Sequence, residues 1–519
     1  MEPACIRHTE LPGASKLFAD FNYHFDRVAR FYRHDPHDPD SLSAAAAEID
    51  YPDSRRAAMA EALRVQNGDS PSLAKFAEPG TVAIVTGQQV GLFSGPAYTV
   101  YKAITAARIA RELSARGTPA VPVFWLATED HDFAEVNHVW TFGEDHNPLK
   151  LEATAREELN GRQRPVGGIA LANPPVDELA RSLAAFPHGE EIAAMVREAY
   201  PPGVTMGAGF RALLKKLLAS LDLIYLDPLD PAIREISRPI VADALTAAPE
   251  LKARLLERNR ELEAAGYHQQ VLIEEKTSLF FLLENGERVP LRRKDPEYGD
   301  LRDRAAAISP NALLRPVVQD YLLPTAAYIG GPAELAYLAQ SQVIYDSLLH
   351  RMPVITPRTS FTLLEPRAVK FLERYKMTVP EILTAEETLQ ERIAHRLAPR
   401  SISSAFAKTA ASTESSIAKL RGQLAAFDPT LAASLDRSRA KMLYQLEKTH
   451  RKIEREILQR DTRARGEAHY LSNLLYPHRH LQERFYSILP FVARHGADLI
   501  DRLYDVVQLD CPDHRVVPI

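Results

Sequence analysis

Apolar runs and helical repeats in the first third of the chain predict alternating strands and helices. Thr81–Val85 is a short β-branched run typical of a strand, and Tyr98–Arg116 repeats apolar residues at helical spacing. Gly117 ends that helix, and Ala120–Ala127 is a continuous apolar run of the kind found in strands covered on both faces. With a glycine-rich turn after the first strand, this order predicts a βαβ unit.

Later runs extend the same pattern. Leu221–Leu226 and Met352–Thr356 read as two more strands, each followed closely by a proline. Between them, Asn285 and Gly286 form a dipeptide suited to a tight hairpin turn. We therefore predict a parallel core that carries inserted subdomains, roughly over 155–220 and 230–310.

The last third of the chain is helical and charged from about Pro380. Asp428 followed by Pro429 is suited to end one helix and begin another, because Asp caps helices and Pro fits the first helical position. The repeats on either side predict a long antiparallel hairpin of helices, which the chain leaves near Tyr476 and Pro477. Their apolar residues are Ile417, Leu420, Leu424, Phe427 and Leu431, then Leu443, Leu446, Ile453 and Ile457.

Composition narrows the class of protein. The chain has 519 residues, 45% hydrophobic content and a formal charge of -5. Its overall charge therefore does not favour binding to nucleic acid or to an anionic membrane. No run reaches about 18 apolar residues, and the first residues lack a secretory signal. Cys5 and Cys511 give no disulfide framework and no cysteine zinc site. We expect a soluble cytoplasmic enzyme without a membrane or nucleic-acid partner.

The first candidate site follows the first strand. Glycines let the backbone approach a ligand, and N–H groups at the start of a helix favour phosphate or carboxylate. The glycine spacing matches neither a Walker loop nor GxGxxG, so a purely structural turn is the alternative. Two glutamines and Lys102 favour a site. The residues concerned are Thr86, Gly87, Gln88, Gln89, Gly91, Ser94 and Gly95.

The second candidate site is an acidic cluster after the second strand. Because the carboxyl ends of parallel strands line a ligand crevice, we expect the cluster to face the same opening as the glycine-rich turn. It is suited to deprotonate an amine or to hold Mg²⁺. The alternative is that Asp130 or Asp132 only caps the next helix. The cluster consists of Glu129, Asp130, His131 and Asp132.

A third segment combines arginines with another glycine turn. Arg315 and Arg358 suit bidentate capture of a carboxylate or phosphate, although an isolated arginine is more often a surface or packing residue. The adjacent Gly330-Gly331-Pro332 turn favours the functional interpretation. The candidates are Asn311, Arg315, Gln319, Tyr328, Gly330, Gly331, Glu334 and Arg358.

Four sequence segments, taken in their order along the chain, resemble the bacillithiol biosynthesis cysteine-adding enzymes. They are TGQQVGLFSGPAYTVYK, PVFWLATEDHDFAEVN, SPNALLRPVVQDYLLPTAAYIGGPAELAY and MPVITPR. The resemblance runs nearly from end to end, since the C-terminal arm and the late Leu481-Gln482-Glu483-Arg484 also match. Segments of this length in this order are highly specific for one family.

The resemblance implies an α/β fold with a Rossmann-like parallel-sheet core, two connecting insertions and a C-terminal antiparallel coiled coil that pairs chains as homodimers. On this basis residues 1–155 hold the N-terminal helices and the first part of the core. Residues 156–310 hold the insertions, interleaved with a core strand at 221–228. Residues 311–380 complete the core, 381–475 form the coiled-coil arm, and 476–519 return to the core.

The implied reaction is that of a ligase which adds L-cysteine to glucosaminyl malate through an amide bond. Because such a bond needs an activated carboxyl group in water, ATP or another nucleotide is expected. We place Lys102, the glycine-turn N–H groups and Arg358 on anionic oxygens of nucleotide or malyl group. Asp130, His131 and Asp132 would bind Mg²⁺ or take the proton from the ammonium of cysteine. Gln88, Asn311, Arg315, Tyr328 and Glu334 would shape the substrate pocket.

Two alternatives stay open at this point. A nucleotidyltransferase or adenylating enzyme acting on another small carboxylic acid fits the same core. An RNA-binding or scaffolding coiled-coil protein is the alternative from another class, because the arm has a local basic excess, although such charges usually form the solvated face of a coiled coil. The basic residues are Arg437, Arg439, Lys441, Lys448, Arg451, Lys452, Arg455, Arg460, Arg463 and Arg465.

Overall fold

The computed structural model describes residues 4–159, 161–274, 276–291 and 301–519. The chain divides into a core unit, formed by the described residues of Glu2–Leu363 and Glu483–Val517, and a helical unit, Leu364–Gln482. The strands are β1 (Ala4–Ile6), β2 (Val82–Gln89), β3 (Ala120–Ala127), β4 (His138–Phe142), β5 (Pro148–Glu152), β6 (Ile224–Leu226), β7 (Phe280–Glu284), β8 (Glu287–Pro290), β9 (Ile308–Pro310), β10 (Thr325–Gly330), β11 (Val354–Pro357), β12 (Phe361–Leu364) and β13 (His514–Pro518).

The helices include short segments and two very long ones. They are α1 (Lys16–Tyr23), α2 (Ser41–Ala47), α3 (Asp53–Asn67), α4 (Pro71–Ala77), α5 (Tyr98–Ala115), α6 (Phe133–Val136), α7 (Val176–Leu183), α8 (Gly189–Ala199), α9 (Met206–Leu217), α10 (Pro231–Ala264), α11 (Arg315–Leu322), α12 (Pro332–Leu348), α13 (Pro366–Tyr375), α14 (Val379–Ile382), α15 (Glu386–Leu397), α16 (Arg400–Phe427), α17 (Pro429–Arg460), α18 (Thr462–Leu475), α19 (Gln482–Phe485), α20 (Leu489–His495) and α21 (Leu499–Asp505). Among the described helices, none has the combination of length and apolar character that crossing a bilayer requires.

Five parallel strands form the central sheet of the core unit, in the order β11-β10-β2-β3-β6. β2 lies in the middle, with β10 on one side and β3 on the other. The predicted βαβ unit is β2, α5 and β3, and the second predicted strand has the observed bounds of β3. The predicted α/β fold with a parallel core is confirmed.

The sheet is apolar on both faces because helices cover both. Val82 and Ile84 of β2 pack in one cluster with apolar residues of α5. Ala83 and Val85 point the other way, into a larger cluster that includes Trp125 and residues of α3, α10 and α12. Burial on both faces explains why these strands read as continuous apolar runs rather than as alternating patterns.

β2 continues four residues beyond the predicted strand. Gly87, Gln88 and Gln89 lie in parallel register with Trp125, Leu126 and Ala127 of β3, so Thr86–Gln89 is strand and not the start of the turn. Pairing with a full-length neighbour overrides the weak strand preference of glycine. The turn itself follows Gln89 and contains a short 3₁₀ helix, Leu92–Ser94.

Gly87 is required by the close approach of β3. A Cβ at this position would lie 3.0 Å from the Trp125 carbonyl oxygen and 3.1 Å from the Trp125 Cβ. We expect Gly87→Ala to destabilise the protein by about 1–3 kcal/mol, as overpacked sites do, which thermal unfolding would measure. Gly422→Ala in α16 is the control, since a Cβ there meets nothing within 4 Å and alanine favours helices. A Gly87→Ala protein that melts at or above the wild-type temperature would contradict this reading.

The segments inserted between the core strands carry smaller sheets. β4 and β5, which follow β3 and precede β6 in the sequence, form an antiparallel pair. β7 and β8 form the hairpin predicted at Asn285 and Gly286, and both turn residues have the positive φ that the sequence required. β9 adds to the other side of β7, which brings Phe281 and Arg288 to the candidate site described below.

The helical unit contains the predicted hairpin, formed by α16 and α17. The Asp428 carboxylate accepts a hydrogen bond from the Thr430 N–H at 2.7 Å, and Pro429 begins α17, as the sequence predicted. Arg421 pairs with Asp436 across the two helices. Several basic residues of the arm lie within 4.0 Å of a carboxylate, which favours a solvated coiled-coil face: Arg439, Arg451, Arg455, Arg460 and Arg463.

Candidate active site

A cavity of about 470 Å³ lies at the carboxyl ends of β2, β3 and β10. The segments after the first two strands share this crevice, as predicted, and the Gln89 side-chain amide donates to the Asp130 carboxylate at 2.6 Å. The predicted site residues that line it are Gly87, Gln88, Gln89, Lys102, Glu129, Asp130, Asn311, Arg315, Tyr328, Gly331, Glu334 and Arg358.

Other predicted residues are not part of the cavity lining. They are Thr86, Gly91, Ser94, Gly95, His131, Asp132, Gln319 and Gly330. Thr86 is fully buried and its hydroxyl donates to the Ile329 carbonyl at 2.9 Å, so it links two strands. Ser94 is also buried, with its hydroxyl oxygen 3.3 Å from that of Ser487. Thr86 and Ser94 therefore contribute to the scaffold of the core unit.

The N–H groups of the predicted anion-binding turn are largely used within the protein. The N–H of Gly91 donates to Gln89, that of Gly95 to Leu92, and that of Ala97 to Tyr486, in each case to the carbonyl oxygen. The Phe93 N–H donates to the Tyr200 hydroxyl. The expectation that this turn presents its amides to an anion is therefore wrong for these four groups. The helix start that lines the cavity is that of α12, from Gly331 to Glu334.

Lys102 is buried on the first turns of α5 and makes three contacts inside the protein. Its ammonium donates to the Gly87 carbonyl at 2.9 Å and to the Gln88 side chain at 2.8 Å, and it forms an ion pair with Glu334. Glu334 also accepts from the Tyr328 hydroxyl and the Gly331 N–H. Burial opposes the charged form of Glu334, but the Lys102 ammonium, together with the hydrogen bonds from Gly331 and Tyr328, lowers the Glu334 pKa. All three ammonium hydrogens have acceptors in this arrangement.

Arg358 is likewise neutralised. Its guanidinium donates to both oxygens of Glu483, at 2.8 and 2.6 Å, and both side chains are almost fully buried. Burial raises the Glu483 pKa, but the Arg358 guanidinium, with smaller contributions from His514 and Ser360, brings the pKa to about 2. The predicted role of Arg358 on a substrate anion is not free to operate while this bidentate pair is intact.

His514 supports this pair from β13. Its two ring nitrogens lie 2.6 Å from the Ser360 hydroxyl and 2.7 Å from the Thr362 hydroxyl, and Ser360 donates to Glu483. Burial lowers the His514 pKa to about 4 from the ordinary 6.5. The ring is therefore neutral at pH 7.

The depressed His514 pKa predicts a defined pH dependence. Between pH 6.5 and about 4 the unfolded chain binds a proton at His514 that the native protein does not, so stability falls as the pH falls through this window. As the pH drops from 6.5 to 4, we expect the melting temperature of the wild type to fall more than that of His514→Gln. Melting curves that run parallel over this range would rule out the assignment.

Arg315 differs from the other two cations. It begins α11, and its guanidinium donates to the Gln319 side chain at 3.0 Å and to the Tyr337 hydroxyl at 2.8 Å. Asn311 fixes the preceding turn by accepting from the Leu313 and Leu314 N–H groups. In the part of the chain that the structure describes, no carboxylate pairs with Arg315, and the same holds for the exposed Arg484 at the cavity. The cavity thus offers guanidinium charge to an anion.

The four residues of the acidic cluster have different surroundings. Glu129 is buried and pairs with Arg234 at 2.7 Å, and burial raises its pKa. Asp132 accepts a hydrogen bond from the Glu135 N–H and caps α6, which is the structural role considered as the alternative for this residue. Asp130 is the member that is both partly exposed, at 33%, and on the cavity.

His131 is poorly placed to act as a base. Its Nδ1 lies 3.0 Å from the Arg288 guanidinium, and because arginine only donates, this nitrogen accepts and the proton resides on Nε2. Burial, and then the Arg288 charge, lower the His131 pKa. In the described ranges no three His, Cys, Asp or Glu side chains are grouped so that they could hold a metal ion.

Comparison with known proteins decides the family. A sequence model described as "Bacillithiol biosynthesis BshC, N-terminal Rossmann-like domain" matches residues 1–359. A second, "Bacillithiol biosynthesis BshC, C-terminal coiled-coil domain", matches residues 361–519. This chain belongs to the BshC family. The family resemblance inferred from the four sequence segments is confirmed.

Relatives in the BshC family cover the whole chain. A protein of Solibacter usitatus is 54% identical, and one of Koribacter versatilis is 36% identical, each over 100% of both chains. A protein of Salinibacter ruber is 31% identical over 96% of both chains. All three bear the name "Putative cysteine ligase BshC". The predicted enzyme class, a ligase, agrees with these names.

Several residues of this BshC-family cavity were missed as site residues from sequence. They include Tyr98, Trp125, Phe281, Arg288, Tyr337 and Arg484. Arg288 stacks on Phe281, with its guanidinium carbon 3.9 Å from the ring centre, and reaches the cavity because β8 is held by β7. The Asn285-Gly286 turn predicted this hairpin, but nothing in a single sequence indicates which sheet edge a hairpin will face.

Proposed function

We propose that this chain joins L-cysteine to glucosaminyl malate through an amide bond, after activation of the carboxyl group by a nucleotide. The proposal is supported mainly by the cavity of about 470 Å³, which combines the unneutralised Arg315 with the partly exposed Asp130 carboxylate. Together they supply what such a ligation needs, a positive group for an anionic substrate and a proton acceptor for an amine.

The anion is the first element of the proposal. The malyl group of glucosaminyl malate carries carboxylates, and nucleotides carry phosphates, so both substrates present groups that guanidinium binds well. Lys102 and Arg358 are neutralised by Glu334 and Glu483. We therefore assign to Arg315 the role on anionic oxygens that was predicted for Lys102 and Arg358, with Tyr337 holding its guanidinium at the cavity wall.

The proton is the second element. In an amide between cysteine and the sugar, cysteine supplies the carboxyl group and the sugar amine attacks it. The ammonium that must lose a proton is therefore that of the sugar, which corrects our expectation from sequence. Asp130 is suited to accept it, because the Gln89 amide holds one of its oxygens at 2.6 Å, while the Arg288 guanidinium lies 4.0 Å from the other oxygen, too far for a direct hydrogen bond.

A nucleotide and Mg²⁺ remain part of the proposal. Mg²⁺ in nucleotide enzymes is usually held by one or two carboxylates together with phosphate oxygens, so it does not need a dedicated protein cluster. Asp130 is the carboxylate of the cavity best exposed to meet such an ion.

The test is reconstitution with the full-length protein. Glucosaminyl malate, L-cysteine and each common nucleoside triphosphate are incubated with the protein, and the joined product is sought by mass spectrometry. We expect product only in the complete mixture. Release of a nucleoside diphosphate would indicate an acyl phosphate intermediate, and release of a nucleoside monophosphate would indicate an acyl adenylate. Folded protein that forms no product with any nucleotide contradicts the proposal. Nucleotide turnover with another small acid, without cysteine, would favour the alternative adenylating function.

Removing the charge at Arg315 should weaken binding. A hydrogen bond to a charged group contributes about 1.5–3 kcal/mol, so we expect Arg315→Gln to lower kcat/KM about 10- to 100-fold, mainly through KM. Initial rates over a range of glucosaminyl malate and nucleotide concentrations identify which substrate is affected. Arg111→Gln, on the exposed side of α5, should leave both constants unchanged. An unchanged KM for every substrate in Arg315→Gln would remove Arg315 from the site.

We also propose that two chains pair through the coiled-coil arm. Phe427 at the tip of the hairpin is 83% exposed, and Leu420, Leu431, Met442 and Tyr444 are also exposed apolar residues of α16 and α17. Exposed apolar residues concentrated on one element favour burial against a partner. Light scattering of the full-length protein should give the mass of a dimer, and a monomer at all concentrations tested would contradict it.

A further inference from the structure

The two cysteines of the chain lie side by side although they are 506 positions apart in the sequence. The Sγ atoms of Cys5 and Cys511 are 3.6 Å apart. Cys5 is exposed and Cys511 is partly exposed, so a small reagent can reach the pair from solvent. Both residues belong to the core unit.

The backbone on both sides of the pair is held in place. Cys5 lies on β1, where it pairs antiparallel with Arg515 of β13. Close by, the Tyr23 hydroxyl donates to Asp513 at 2.7 Å and accepts from the His8 N–H at 2.8 Å. The contact between the sulfurs therefore follows from a sheet pairing and a separate hydrogen-bonded bridge, and not from two loose ends.

We propose that Cys5 and Cys511 form a reversible intramolecular disulfide by exchange with a low-molecular-weight disulfide. A bonded S–S distance is about 2.05 Å, so the sulfurs must approach by about 1.5 Å for the bond to form. The chain contains no other cysteine, so no third protein thiol competes for either sulfur.

The exchange balances as two successive displacements. The thiolate of one cysteine attacks a sulfur of cystine, forms a mixed disulfide and releases one cysteine thiolate. The thiolate of the other then attacks the protein sulfur of the mixed disulfide and releases the second cysteine. Two protein thiols lose two electrons and two protons, and one cystine takes them up as two cysteine thiols. Burial and the hydrogen bond to Cys511 raise the Cys5 pKa, so the exchange should be faster at alkaline pH.

The position of the pair connects it to the candidate active site. Cys511 lies three residues before His514, which contacts Ser360 beside the Arg358–Glu483 pair. A Cys5–Cys511 bond would fasten β1 to the segment that enters β13. The proposal itself rests on the geometry of the two thiols and does not depend on the proposed ligase activity.

The test uses reduced, full-length protein, cystine as the probe, and the variants Cys5→Ser and Cys511→Ser. Free thiols are counted with a chromogenic disulfide reagent, intact mass is measured, and a digest is searched for the peptide that joins residues 5 and 511. We expect wild type to lose both thiols without gaining a cysteinyl adduct and to recover them with dithiothreitol. Each variant should keep one cysteinyl adduct instead.

Three results would overturn the proposal. They are a wild-type protein that carries two cysteinyl adducts, a disulfide that links two chains on a non-reducing gel, and thiols that remain free after the same treatment that modifies both variants. The variants control for reactivity, because they show whether each sulfur can be attacked when its neighbour is absent.

Discussion

Asp130→Asn should lower kcat by about 10²- to 10⁴-fold while leaving the fold intact, because that is the usual contribution of a positioned general base. Asparagine keeps an oxygen that can accept the Gln89 hydrogen bond but cannot take a proton. The measurement is kcat at saturating substrates, together with the melting temperature. A large loss of rate with little change in melting temperature is the expected pattern.

Asp132 provides a matched control for this experiment. It lies two residues from Asp130 but caps α6 and does not line the cavity. Asp132→Asn should therefore retain kcat, with a loss of stability of about 1 kcal/mol or less. If both variants lose the same activity, or if Asp130→Asn loses none, Asp130 is not the base.

Glu483→Gln should have the largest effect on stability. It leaves Arg358 as a buried cation without its carboxylate, since the two side chains are 6% and 2% exposed. Breaking a buried ion pair in this way costs about 3–5 kcal/mol. Denaturant unfolding followed by a probe of the core unit would measure this loss.

Two comparisons make the result interpretable. Glu61→Gln breaks an exposed pair with Arg64 and should cost about 1 kcal/mol at most. The double variant Arg358→Met, Glu483→Leu removes both charges and should recover much of the loss, because apolar replacements can be as stable as a buried pair. A Glu483→Gln protein as stable as Glu61→Gln would show that Arg358 is solvated or paired elsewhere.

The sequence predicted the framework of the fold well because its elements follow from local physics. A continuous apolar run predicted β3, helical spacing predicted α5, and Asp428-Pro429 predicted the junction of the long hairpin. The end of β2 was placed too early, because only pairing with β3 keeps Gly87 to Gln89 extended. Local preference could not reveal a partner strand more than thirty residues away.

The candidate site was predictable in location but less so in roles. Residues at strand ends were expected to meet, and Gln89 and Asp130 do meet. Whether a cation is available depends on partners distant in sequence, such as Glu334 for Lys102 and Glu483 for Arg358. No spacing rule connects these pairs, so a sequence alone could not show that Arg315 has no carboxylate partner among the described residues.

The strand order has a consequence for how the protein is made. β10 occupies the place between β2 and β11, so the middle of the sheet stays incomplete until the ribosome has released residues far beyond β3. The acidic partner of Arg358 emerges later still, at Glu483. The nascent chain must therefore keep an open sheet edge until β10 has been made, and an unmatched guanidinium from Arg358 until Glu483 has been made. Slow closure and chaperone capture are to be expected in this state.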